Sequence, residues 1–561
     1  MKKKLLSLAL LAGLLLSSLT GCGSSGEDDS ALDTTDSTKT ATITLTAITG
    51  DSTTADTIQA VQDAMNKLTK SEYKTQVILQ LKTEDEYVAF IEDQVAQIEA
   101  DIAAEEEAAA KAKEEAKARK EAEKAANAAK KNRSKWTTTT TAETEETTAD
   151  TQEMTLDEYG REVAKYPELE GASLDIVFIT GREMLEDFVE KEYLQDISSE
   201  LSGNSKILNK YIYPTFLNAG KVDGSTYAVV NNRLMGEYTY LLIDKELADK
   251  YNFAEAEDAT TLADCEAFLD AVKAGEPDVV PLNEAVDLNY VQYCSGERSL
   301  VGSMIKANHT TTVKSIPKNL LGIESFVTHN ILLEKLEDGG YIGEGERYAV
   351  EVRKGYITTP EEENWEEKYY VVEYEKPICS DEVVFSGMFA ISAYASDLER
   401  CMEIVTMLNT DGALRDIYAF GVEGENFEYN EDGTVHMLND DWSMDFYHTG
   451  NTLVGSVPET LPANYADIAK LQNVETLTSP YFTWEYEITE ENEAAYEEYL
   501  AAAAGYLAEF DAAADKAAFA EALVDELKGD TENIVTKMLG SDYNDSLLNS
   551  YADFYSEQNP S

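Results

Sequence analysis

The residues of this chain best suited to chemistry are short polar groups that follow apolar runs. Thr49-Gly50-Asp51-Ser52 follows the alternating stretch 42–48, and Thr180-Gly181-Arg182 follows the continuous apolar run 174–179. Hydroxyl, carboxylate and guanidinium groups so placed can exchange hydrogen bonds with a polar ligand. Little in the sequence points to bond making. There is no GxSxG, HExxH or P-loop, and Gly343-Glu344-Gly345 is not continued into a GxGxxG. Paired carboxylates can hydrolyse glycosides, but among 108 acidic residues no pair stands out. The four histidines, His309, His329, His436 and His448, have no ligand-like spacing, so neither a metal nor a cofactor is expected. Cys265, Cys294, Cys379 and Cys401 are widely spaced; Cys265 and Cys401 sit on apolar helical stripes, as buried thiols do. The fifth cysteine, Cys22, directly follows Leu19-Thr20-Gly21.

The elements that would carry these residues follow from periodicity. The 42–48 stretch reads as a strand, the following residues with Ile58, Val61, Met65 and Leu68 as a helix, and 75–81 as a second strand. This βαβ unit implies a parallel sheet, and 174–179 has the composition of a strand buried on both faces. Sites in such sheets lie at the carboxyl ends of strands, which selects Thr49, Asp51, Ser52, Thr180 and Arg182. Residues 84–135 are rich in Ala, Glu and Lys, without Gly or Pro. They predict one long helix that packs through Val88, Ile91, Val95 and Ile98 and then projects into solvent. With the Thr-rich run to 151, the stretch 100–153 reads as an insertion in one sheet. Further strands are expected at 225–230, 238–243 and 385–392, and a hairpin or meander over 345–376. Thr261 to Asp264 and Ser396 to Glu399 have the form of capping boxes. Strand alternation is expected to let only one of Tyr238 and Tyr240 face a given side.

Composition bounds the rest. With 561 residues, 43% of them hydrophobic, the chain has ample core material for more than one domain. Its formal charge of -63 repels phosphate polyanions, so nucleic acid is not an expected partner. At the start, Lys2, Lys3 and Lys4 precede an apolar run, 5–16, shorter than the roughly 18 residues of a spanning helix. Ending in Leu19-Thr20-Gly21-Cys22, this segment resembles a bacterial lipoprotein signal. The resemblance implies cleavage after residue 21, lipidation of Cys22 and a home on the extracellular face of the cell membrane. Residues 22–40 would be a disordered tether.

Four further segments resemble the extracellular solute-binding proteins of bacterial ABC importers, of the carbohydrate type that includes maltose-binding protein. They are 45–60 with its Gly50-Asp51 loop, 174–181 with 193–196 downstream, 220–229 running into 240–247, and 387–392 followed by a helix and 418–424. The 100–153 insertion departs from the family core, and 280–380 matches only loosely. The resemblance implies a type II periplasmic-binding-protein-like α/β fold of two lobes with the ligand in the cleft between them. Lobe 1 would hold 41–236 and about 387–440, and lobe 2 would hold 237–386 and about 441–561. Crossings would fall near 235–240 and 385–388. The resemblance also brings Glu237 and Tyr238 to the cleft, with Trp442, Tyr447 and Asn451 from a region that often contributes to it; Trp442 and Trp484 are candidate stacking rings. The implied function is delivery of a small solute, a sugar or oligosaccharide, to ABC permease subunits, without catalysis. A peptide or amino-acid ligand in the same fold, or a surface adhesion or scaffold lipoprotein, are the alternatives.

Overall fold

The structure is a computed structural model that describes residues 40–130, 154–156, 162–164, 171–254, 256–294, 301–305, 317–320, 323–484, 486, 488–490, 492–516, 518–519, 522 and 542–558. The leader, Cys22, residues 22–39 of the expected tether and the Thr-rich run 131–153 lie outside the described residues. Among the described residues no helix is long and apolar enough to cross a membrane.

The first strand, β1 (Ala41–Ile48), leads through helix α1 (Ala55–Tyr73) to β2 (Thr75–Lys82), and the two strands pair in parallel over all eight residues. Thr54 caps α1 by accepting the Thr57 N–H, and Lys74 ends it in a left-handed conformation. The face that α1 turns to β2 is partly polar for a physical reason. β2 is an edge strand, and buried side chains of α1 occupy its open groups. Asn66 accepts from the Val77 N–H at 2.7 Å and donates to the Val77 carbonyl at 2.8 Å, while Gln62 accepts from the Leu79 N–H at 2.8 Å. A helix thus stands where another strand would otherwise pair.

Helix α2 (Glu84–Lys130) is the long helix expected, and at 1.5 Å per residue it reaches about 70 Å. Its anchor is Tyr87 with Ile91 and Val95, whereas Val88, expected on the packed face, is exposed. The buried Tyr87 hydroxyl donates to the Phe178 carbonyl at 2.6 Å and accepts from the Phe178 N–H at 2.8 Å. Tyr87 thus takes the place expected of Val88, while Ile91, Val95 and Ile98 pack as the stripe predicts.

Next come β3 (Ile176–Ile179), α3 (Arg182–Glu190) and β4 (Ala228–Val230), after which residues 231–237 cross to a second sheet that starts with β5 (Tyr238–Asp244). Helix α4 (Glu266–Gly275), β6 (Val280–Leu282), α5 (Glu324–Asp338), β7 (Tyr348–Gly355) and β8 (Tyr369–Glu375) follow. The chain then returns to the first sheet as β9 (Met388–Ile391), followed by α6 (Leu398–Thr410) and α7 (Gly412–Phe420). After a third crossing come α8 (Tyr465–Glu475), α9 (Glu493–Ala512) and α10 (Asp542–Gln558). The first sheet has the order β2-β1-β3-β9-β4, with β9 antiparallel to both neighbours; the second has the order β6-β7-β5-β8. Each sheet has its own core, and a third, aromatic cluster joins Phe326 to Tyr481, Trp484, Phe510 and Tyr551.

Several local expectations change in three dimensions. β7 and β8 flank β5 on opposite sides and do not form a hairpin with each other. Tyr238 and Tyr240 lie on the same side of β5, as residues two apart in a strand must, and their rings stack at 5.6 Å. The Thr261–Asp264 capping box is present and opens a short turn into α4. Asp397, not Ser396, caps α6. Ser396 instead donates twice to the buried Asp175 carboxylate, at 2.7 Å from its N–H and 2.8 Å from its hydroxyl. Segment 441–443 and residues Cys379, Val384 and Phe385, assigned above to the second lobe, pack with the first. Trp442 joins the first core, the Gly50 N–H donates to the Ser443 carbonyl at 2.7 Å, and the Thr54 N–H donates to the Asp441 carbonyl at 3.1 Å. Cys265, Cys294, Cys379 and Cys401 are free thiols, and burial pushes Cys265 up to about 12.

Candidate functional site

The crossing segment 231–237 is held by side chains, because no strand pairs with it. Tyr465, Gln472 and Asn473 of α8 supply its partners. The Leu234 N–H donates to the Tyr465 hydroxyl at 3.2 Å, and the Met235 N–H to Asn473 Oδ1 at 3.1 Å. Asn473 and Gln472 in turn donate to the Arg233 and Gly236 carbonyls. Gln472 also accepts from the Ile357 N–H at 2.9 Å, which fastens the crossing to the end of β7. With the backbone fixed, alternate side chains take opposite sides.

On one side stands Arg233. Its guanidinium lies flat over the Tyr447 ring, 3.5 Å from the centroid, and Nη1 donates to Ser386 Oγ at 3.1 Å. The Tyr447 loop is fixed by Asn231 Nδ2, which donates to the Tyr447 carbonyl at 3.0 Å. From below it is held by Arg415, fully buried under Phe446, which donates to the Ser456 and Phe446 carbonyls and to Thr449. Burial lowers the Arg415 pKa to about 10. His448 rests on Phe178, with ring centroids 4.7 Å apart. Burial lowers its pKa and Arg233 adds to that, against the pull of Asp445 and Glu84. Tyr356, at the end of β7, has a raised pKa, first from burial and then from Glu237 and Tyr447. Arg233, Tyr447, His448, Ser386, Tyr356 and the exposed Glu237 therefore form one neighbourhood where the two sheets meet.

The strand-end residues border it unequally. Thr180 donates to the Ser386 carbonyl at 3.4 Å, placing it beside Arg233's partner. Asp51 and Ser52 are exposed at the tip of the first loop. That loop is pressed against 441–443: a Cβ at Gly50 would collide with the Ser443 side chain, so only glycine permits the approach. Thr49 spends its hydroxyl within the loop, 2.6 Å from that of Thr53. Arg182 is paired with Glu186 of its own helix at 2.7 Å, with its guanidinium 6.0 Å from the Phe385 ring centroid.

Four expected contacts are placed elsewhere. Trp442 is 2% exposed and donates from Nε1 to the Tyr418 carbonyl, so its ring has no open face to stack on a ligand. Tyr238 is buried with Tyr240, Leu242 and Trp365 against the second sheet. Asn451 is buried and uses both ends of its amide on backbone, accepting from the Leu453 N–H and donating to the Asn409 carbonyl. Trp484 is likewise packed into an aromatic core with Tyr481 and Tyr551. Arg233, Tyr356, Ser386 and His448 are the residues that sequence reasoning missed. Counting back in steps of two from Glu237 along an extended segment reaches Arg233; the other three carry no local signal, since they come from distant segments.

The arrangement offers a flat donor, an exposed carboxylate acceptor and several hydroxyls, a set suited to a neutral ligand dense in hydroxyl groups. No family model matches the chain, and no curated protein matches it. Among solved structures, it is similar to the N-glycan transport solute-binding protein NgtS from Streptococcus pneumoniae, with 16% identity over 93% of this chain and 100% of that one and a TM-score of 0.51. That match establishes the architecture as the two-lobed α/β fold of solute-binding proteins. An HMO-binding, ABC-transporter-associated solute-binding protein from Bifidobacterium longum infantis aligns over 92% of this chain and 99% of that one, at 12% identity and a TM-score of 0.41.

Proposed function

We propose that the chain is the solute receptor of an ABC importer, that it captures a sugar or oligosaccharide between its lobes, and that Cys22 ties it by lipid to the outer face of the membrane. The observation that carries the reading is the meeting of Arg233, Tyr447, Tyr356 and Glu237 beside the crossing segment, with groups from both lobes near enough to act on one another. Lobe-interface clefts with a few convergent polar groups are common ligand sites. The fold shared with an N-glycan transport solute-binding protein supports the same reading, and puts N-glycans first among the ligands to try. Binding without turnover is the proposal, since the sequence presents no nucleophile motif.

The test is a thermal-shift screen of the purified protein against oligosaccharides, amino acids and short peptides. A ligand at 100 times its Kd stabilises the folded state by about 2.7 kcal/mol. A saccharide hit that is weakened by Glu237→Gln supports the proposal. A hit confined to peptides or amino acids keeps a receptor and replaces its substrate class. No hit from a folded protein removes the receptor reading in favour of a surface scaffold. The anchor is tested separately by labelling cells with an alkyne fatty acid: the wild-type protein takes the label and Cys22→Ala does not.

A further inference from the structure

On the other side of the crossing segment from Arg233 lies a groove of about 560 Å³, within the range usual for small-molecule sites. Lys210, Tyr211 and Tyr213 of the first lobe line it on one side, and Lys470 of α8 on the other, with Asn232 of the crossing segment and Asn451 between them. The chain has 108 acidic and 45 basic residues, yet no Asp or Glu lines this groove among the described residues, and two lysines do. Lys470 has only a distant pairing, 3.8 Å from Asp467. Tyr211 and Tyr213 are 38% and 37% exposed, large rings left open to solvent. Asn232 is 1% exposed; its Nδ2 donates to the Tyr211 carbonyl at 2.7 Å, while its Oδ1 accepts no hydrogen bond. A buried acceptor without a donor is costly, and a ligand hydroxyl would relieve it.

We propose that this groove is a second ligand site, separate from the cleft, for a small hydroxylated carboxylate of the sugar-acid class. The carboxylate answers Lys210 and Lys470, the C–H face of the ring answers Tyr211 and Tyr213, and a hydroxyl supplies the donor that Asn232 Oδ1 lacks. A phosphate or acetate ion answers the lysines but has no apolar ring face to cover Tyr211 and Tyr213.

The experiment is a calorimetric titration of the purified protein with glucuronate, and with glucose and acetate as controls. Glucuronate gives saturable binding, and glucose and acetate bind at least about tenfold more weakly. Lys210→Gln with Lys470→Gln, both at exposed positions, weakens glucuronate by about tenfold or more, whereas Asp51→Asn with Glu237→Gln on the cleft side leaves it unchanged. The proposal is overturned by absence of saturation up to about 10 mM glucuronate, by equal binding of glucose or acetate, by indifference to the lysine substitutions, or by loss in the cleft variant.

Discussion

Asp175 is the residue on which the first lobe turns. Its buried carboxylate accepts from the Thr44 N–H and hydroxyl, the Ser173 hydroxyl, and the Ser396 N–H and hydroxyl, over 2.7–3.2 Å. It thereby ties β1 to the start of β3 and to the turn before α6. Asp175→Ala strands the buried Thr44 N–H and removes the partner of the more exposed Ser396 N–H, and is expected to cost about 1–3 kcal/mol, seen as a lower urea midpoint with unchanged slope. Glu375 gives a pH dependence. Burial raises its pKa from 4.5 to about 7, while the Tyr290 N–H, which it accepts at 2.6 Å, acts the other way; Asp287 adds to the rise and Lys354 opposes it. Because the folded-state value is the higher one, the protonated form is favoured by folding. Its contribution is complete below pH 4.5 and is lost as pH rises through 7, an effect on the order of 3 kcal/mol. Glu375→Gln keeps an acceptor for the Tyr290 N–H, so unfolding free energies measured at pH 5 and pH 8 are expected to lie closer together than in the wild type. An unchanged gap would mean that Glu375 is not the group responsible.

Two helices share one device at the scale of elements. α1 at the edge of the first sheet and α8 beside the crossing segment both turn buried Asn and Gln side chains toward backbone that has no strand on that side. The amide is suited to this because it donates and accepts at once. Asn473→Leu preserves much of the side-chain volume but leaves the Met235 N–H and the Arg233 carbonyl without those partners. An expected loss of about 1–3 kcal/mol in equilibrium unfolding checks the role of α8. Asn66→Leu is expected to cost a similar amount at β2, with cleft binding unaffected because that strand edge is remote from the crossing. Tyr87 does related work for α2, bridging β1 and β3 through one hydroxyl.

For the whole molecule, the two sheets and the three passages of chain between them set the possible motion. A ligand that contacts Arg233 and Tyr447 on one side and Tyr356 on the other makes more contacts when the lobes approach, and so favours the closed arrangement by its differential affinity. Small-angle scattering with a saturating ligand is expected to show a smaller radius of gyration than without it. An unchanged radius with a tightly bound ligand would exclude hinge closure as the capture mechanism.

Much of this was legible in the residues. The βαβ start, the strand 238–243, the 228–230 part of the stretch 225–230, the long Ala-Glu-Lys helix and the polar groups after β1 and β3 follow from periodicity and turn chemistry, which act over a few residues. Tyr447 and Glu237, which the resemblance brings to the cleft, both raise the Tyr356 pKa. What the sequence did not reveal is which side chains are consumed by the fold. Trp442, Tyr238 and Asn451 have the right types for a ligand site, yet each is buried and bonded by segments far away in the chain. Asp175, Arg415 and the amides of α8 look like surface polar residues in the sequence and are buried instead. Local pattern determines which elements form, because backbone hydrogen bonding and hydrophobic period are short-range. Only tertiary packing decides whether a polar group faces a ligand or an orphaned backbone group, because that depends on which distant segment arrives beside it.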